Sequence, residues 1–180
     1  MKGFWATSWD KIKRLFGRGH EFISIVVLLN APRQFSEEGL RAATERAWGV
    51  KFGGDKEPKN FVVIRGHVRF VQVEGHFFQI LSVARPYIEK RDEFAALLSD
   101  LGARTAVVQH RAWMSVDHHR FGRGRLSKNE RYAATGKMVA ELLGDDCLAV
   151  CVPDENVVVA TTTELSVRLR KMKSVQDLVS

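Results

Sequence analysis

The segment Phe22 to Leu29, Phe-Ile-Ser-Ile-Val-Val-Leu-Leu, constrains the fold more than any other stretch of the chain. With Ser24 as its one polar residue it cannot alternate between a dry face and a wet one, so a strand here must be covered on both sides. It is far shorter than the roughly 20 apolar residues that cross a bilayer. Basic residues precede it and Ala31 follows it, the outline of a signal peptide, but Asp10, Glu21 and Pro32 fit a buried strand better.

Around this strand the chain reads as an α+β domain. A length of 180 residues, 45% of them hydrophobic and 27% charged, suits one globular unit with a sizeable core. Ser36 is placed to cap a helix from Glu37 to Trp48 whose Leu40, Ala43 and Ala47 share one side. Gly53 to Asn60 reads as an exposed loop, and three strands follow: Phe61 to Arg65, Val68 to Glu74 and Phe77 to Ala84. Gly66 and Gly75 between them suit the tight turns of an antiparallel meander.

The second half reads as a helix from Glu89 to Leu101 stopped by Gly102, then a long strand from Thr105 to Asp117 with one buried face and one partly wet face. Ser127-Lys-Asn-Glu130 is a capping box that starts a helix ending before Gly144. Strands Cys147 to Val152 and Val157 to Thr161 flank a turn, and a last helix, capped by Thr163, carries Leu165, Leu169, Met172 and Val175 inward. Both halves run strand, helix, strands, helix. The expected fold is therefore a mixed, mainly antiparallel sheet with helices packed on it, with room for two similar β-α-β-type halves.

Charge divides the chain differently. The net charge is +7, yet residues 1 to 20 hold five basic side chains against one acid, residues 101 to 131 hold seven against two, and the remainder holds sixteen against eighteen. Outside these two stretches the chain is nearly neutral, so the domain of residues 20–180 carries one basic stretch and the N-terminal residues 1–19 form another. In residues 1–19, Phe4, Trp5, Trp9, Ile12 and Phe16 gather on one side of a helical wheel, with Lys11, Lys13, Arg14 and Arg18 mostly elsewhere. Such an amphipathic basic N-terminal helix is marginal alone in water. It suits packing against its own domain or a second copy of the chain first, a different protein partner next, and peripheral membrane contact least.

The other basic stretch contains the loop His118-His-Arg-Phe-Gly-Arg-Gly-Arg125. Arg120, Arg123 and Arg125, with Lys128 and Arg131 at the following helix start, are anion-binding candidates, because arginines and helix N-termini both favour phosphate. Phe121 could stack on a nucleobase.

Enzyme chemistry has less to stand on. The sequence contains no HExxH helix, no GxSxG turn, no GxxxxGK[ST] loop and no GxGxxG after a strand. On a strand from Thr105 to Asp117, His110 and His118 would stand roughly 26 Å apart, so no metal or cofactor is expected from them without a partner such as His67 or His76. His110, Asp117 and His118 are the residues an enzyme would use. Cys147 and Cys151, about 13 Å apart along a strand, cannot join as a disulfide, which points to a reducing, cytoplasmic setting.

The stretch from His110 to His119, His-Arg-Ala-Trp-Met-Ser-Val-Asp-His-His, and the later Leu142-Leu-Gly-Asp-Asp-Cys-Leu-Ala-Val-Cys-Val-Pro153 resemble bacterial α/β proteins catalogued only as a domain of unknown function. The likeness covers the C-terminal half and rests on hydrophobic pattern and a few aromatic and histidine positions. It implies a bacterial, non-secreted, compact domain and carries over no catalytic residues. The functional expectation is a non-enzymatic binding or protein-interaction module. The alternative is an anion or nucleic-acid-binding protein using the loop 118–131, and an enzyme of unrecognised type comes third.

Overall fold

The computed structural model describes residues 22–53, 59–120 and 126–179; residues 1–19 and the loop arginines Arg123 and Arg125 lie outside them. Seven strands form one sheet: β1 (Phe22–Leu29), β2 (Phe61–Arg65), β3 (Val68–Val73), β4 (His76–Val83), β5 (Ala112–His119), β6 (Cys147–Val152) and β7 (Val157–Ala160). Their order is β2-β3-β4-β5-β1-β6-β7, and every pairing is antiparallel. The helices are α1 (Glu37–Trp48), α2 (Arg91–Ala95), α3 (Leu101–Gln109), α4 (Lys128–Leu142) and α5 (Leu165–Lys171).

β1 is central, and Ile23 to Leu29 are all buried, as a strand with no wet face requires. Its odd-numbered residues join the larger core, with Met114, Val116, Phe78 and Ile80, under α1, α4 and α5. Val26 and Leu28 point the other way, to a smaller core with Tyr87, Phe94, Val107 and Trp113. Both β1-α1-β2 and β5-α4-β6 join strands that point the same way. The first crossing steps over β5, β4 and β3, the second over β1 alone, so the halves share a motif and differ in strand order.

Local chemistry sets the boundaries. The Ser36 hydroxyl accepts from the Gly39 amide to start α1, and Gly49 ends it with φ 67°. Glu74 and Gly75 turn the β3-β4 hairpin with φ 47° and 80°, both in the left-handed region that a two-residue turn of this hand needs. The Ser127/Glu130 capping box opens α4 as read from the sequence. At Gly136 of α4 a Cβ would fall 2.7 Å from the Leu169 carbonyl oxygen, so the missing side chain is what lets α5 approach.

The region between β4 and β5 differs from the sequence reading. The single helix from Glu89 to Leu101 is two, α2 and α3, and residues 105–109, read as strand, are helical. Asp100 explains this: its carboxylate accepts from the Ala103 amide, an N-cap that starts a helix through Gly102, which was read as a stop. Ala103, Ala106 and Val107 then bury at helical spacing, outweighing the β-propensity of Thr105, Val107 and Val108. Gly102 packs against Ala160 of β7, with a Cβ only 3.0 Å from that methyl.

Two smaller differences follow. Residues 112–118 of β5 are buried on both faces, because α4 and its core cover one side while Trp113, Ser115 and Asp117 are enclosed on the other. The last helix is preceded by Glu164 with no side-chain cap, rather than capped by Thr163. Among the described residues no helix is long and apolar enough to cross a membrane.

Candidate functional site

Most of the polar and aromatic side chains with chemical potential meet at the C-terminal end of β5. Successive strand residues face opposite ways, so His118 and Asp117 serve two separate environments.

On the α4 side, the β4-β5 register places Phe78 beside His118 and brings His76 within reach. His76 Nδ1 and His118 Nε2 lie 2.9 Å apart, so one ring donates its N–H to the bare nitrogen of the other. Phe78 lies edge-on to His118, with centroids 5.0 Å apart, and Trp48 lies beside His76. Burial holds the His118 imidazole neutral, its pKa pushed down to about 3, with His76 and Arg131 adding to the effect; burial and Lys137 lower His76 as well. The pair is two ligands, not three, and the described residues contain no cluster of three or more metal-ligating side chains.

On the opposite side, the pairings Ser24↔Asp117 and Gln79↔Asp117 gather a sealed polar group. Ser24 donates to one Asp117 oxygen at 2.5 Å and Ser115 to the other at 3.1 Å. Asp117 is 4% exposed, and burial raises its carboxyl to about 6 despite the two serines, which pull it down.

Beside this group a row of rings crosses the sheet. Phe22 pairs with His119, His119 with Phe77, Phe77 with Gln72, and Gln72 with Phe61. Phe22 stacks on His119 at 5.5 Å, His119 stands edge-on to Phe77 at 6.0 Å, and Phe77 meets Phe70 at 5.8 Å and Phe61 at 6.4 Å. All are half-buried, and none belongs to either core cluster.

The predicted residues are distributed unevenly around this end. Arg120 is exposed directly after His119. Lys128 is exposed, ion-paired with Glu155 and 5.8 Å above the Tyr132 ring. Arg131 is buried, and its guanidinium donates to the His118 carbonyl at 2.9 Å, which ties α4 to the end of β5. Phe4, Trp5, Trp9, Ile12 and Phe16 precede the described residues.

His110 has a different task from the one considered for it. It follows α3 instead of sitting in β5; its Nδ1 donates to the Val107 carbonyl at 2.6 Å, and its Nε2 accepts from the Tyr87 amide at 3.0 Å. The ring is thus a neutral clasp between α3 and the segment before α2, and it shares no hydrogen bond with Asp117 or His118. Cys147 and Cys151 are free, buried thiols, both raised by burial.

Sequence reasoning missed the ring row and the Ser24–Asp117–Ser115 group, and left the His76–His118 pairing open. All depend on which residues face each other across strands, and the one signal available was an aromatic on each of the three meander strands, at Phe61, Phe70 and Phe77. The fold and site define a seven-stranded antiparallel α+β domain with an aromatic sheet end beside basic residues. The chain matches no known family model, no curated protein and no solved structure.

Proposed function

We propose that this chain is a non-enzymatic binding module of a cytoplasmic setting, which engages a protein partner or a second copy of itself through its N-terminal segment and the ringed end of its sheet. The observation that carries this reading is the row Phe22, His119, Phe77, Phe70 and Phe61: rings that cross five strands and stay half-buried outside both cores. Contiguous aromatic surface of this kind suits a docking contact, where large rigid rings contribute most per residue. Light scattering coupled to size exclusion, on the full chain and on one starting at His20, tests it. Association that depends on concentration and disappears with residues 1–19 supports the reading, and equal masses for both chains at every concentration would sink its self-association form.

A second reading, an anion or nucleic-acid-binding surface, is favoured by Arg120, exposed directly after the ring residue His119, and by Lys128, exposed in the first turn of α4. Fluorescence anisotropy with a single-stranded oligonucleotide should then show affinity that falls steeply with salt and weakens in Arg120→Ala/Lys128→Ala. Salt-independent binding would contradict it.

A further inference from the structure

The ring row has an edge where the rest of the chain attaches. Phe22 is both the first described residue and the first ring of the row, so residues 1–19 are tethered to it through His20 and Glu21. We propose that the row is the receptor surface for the chain's own residues 1–19, with Phe4, Trp5, Trp9, Ile12 and Phe16 laid against Phe22, Phe77, Phe70 and Phe61. This rests on the reading that the N-terminal segment is an interaction element, and it names what that element binds.

Three observations carry the assignment. The first is coverage. On this side of the sheet α3 packs over β6 and β7, and the smaller core reaches β4 only at Leu81 and Val83. Among the described residues α3 keeps to the β6-β7 end of this face, and the helix that packs on β2 and β3 is α1, which lies on the opposite face.

The second is length. The row crosses five strands, β1, β5, β4, β3 and β2, a span of about 19 Å at the usual strand spacing. A helix of about 13 residues, as the apolar spacing from Phe4 to Phe16 implies, is about 20 Å long. The link Gly17-Arg-Gly-His-Glu21 contains two glycines and is long enough to reverse the chain.

The third is chemistry and direction. The segment's aromatic side matches a row of phenylalanines, and its Lys11, Lys13, Arg14 and Arg18 would remain in water. Because Phe16 lies nearest the tether at β1, Trp5 falls at the far end, over Phe61 and Phe70. The contact forms within one chain because a short link holds the segment at high effective concentration. Exchange of the same contact between two copies is the route by which the segment would join molecules.

Hydroxyl-radical footprinting of the full chain reads the cover directly. In Trp5→Ala/Trp9→Ala, oxidation of Phe61 and Phe70 should rise several-fold over the unmodified chain, while Met138, fully buried in the other core, stays protected. Unchanged oxidation of Phe61 and Phe70 overturns the proposal. Should the double variant unfold, Met138 will oxidise too, and a full chain carrying a photo-crosslinker in place of Trp5 then decides. A crosslink within one molecule to residues 61–73 upholds the placement, and a crosslink elsewhere, or only between two copies, overturns it. Light scattering on the same samples separates this from the parent reading: protected rings in a chain that stays monomeric and binds nothing would leave the cover in place and remove the partner.

Discussion

Asp117→Asn should make the protein more stable at neutral pH, although it alters the most enclosed carboxylate described at the site. An unfolded aspartate gives up its proton near 3.8, whereas the buried Asp117 holds its proton until about 6. The folded state therefore binds that proton more tightly, and stability falls as pH rises from about 4 to about 6. At roughly 1.4 kcal/mol per pKa unit, this shift of about two units costs about 3 kcal/mol once the carboxylate is fully ionised. An amide keeps one oxygen for the Ser24 hydroxyl but offers Ser115 an N–H instead of an acceptor, a loss of about 1 kcal/mol.

The net expectation is a gain of about 2 kcal/mol above pH 7 that shrinks, and reverses slightly, below pH 4. Urea unfolding followed by circular dichroism, on variant and parent at several pH values, reads this as a difference curve in which the histidine contributions cancel. A variant less stable than the parent at pH 8, or a difference that ignores pH, would refute the burial argument.

Other consequences are as specific. His118, neutral in the fold until about pH 3 against 6.5 when unfolded, contributes stability that is present above 6.5 and lost as pH falls below it; nitrogen-detected NMR should show its ring uncharged at pH 5, and titration near 6.5 would contradict its burial. Gly136→Ala drives a methyl against the Leu169 carbonyl and Met172 and should cost about 1–3 kcal/mol in urea midpoint experiments. Gly75→Ala forces a side chain into φ 80° in the β3-β4 turn and should cost about 1 kcal/mol, whereas an alanine at the exposed Glu38 of α1 should change little.

Much of the fold was legible in the sequence because its cues are local. The apolar run of β1, the Ser36 cap, the glycine turns at Gly66 and Gly75, and the Ser127/Glu130 box each fix their element with neighbours in the chain. Residues 101–109 misled because Thr105, Val107 and Val108 favour a strand locally, while the deciding contact, an Asp100 cap on a helix buried by alanines, is an equally local but quieter signal. The site was less legible. His76 and His118 are 42 residues apart, and Ser24 and Asp117 are 93 apart. Their meeting depends on register and on an order in which β5, not β2, lies beside β1. Arg131 shows the reverse: read as an anion-binding cation at the helix start, it is buried on α4 with its guanidinium on the His118 carbonyl, a partner no spacing rule could supply.

The most direct test of the account is sedimentation velocity on the unmodified full chain and on full-chain Trp5→Ala/Trp9→Ala, each over a wide range of concentration. The account predicts, for the unmodified protein, a monomer at low concentration, its segment on its own rings, and a reversible shift toward twice the 20.4 kDa chain mass at high concentration, where the segment exchanges between copies; the variant stays a monomer throughout. Identical sedimentation of the two proteins at every concentration would contradict the claim that the aromatic N-terminal segment is what joins this chain to another copy.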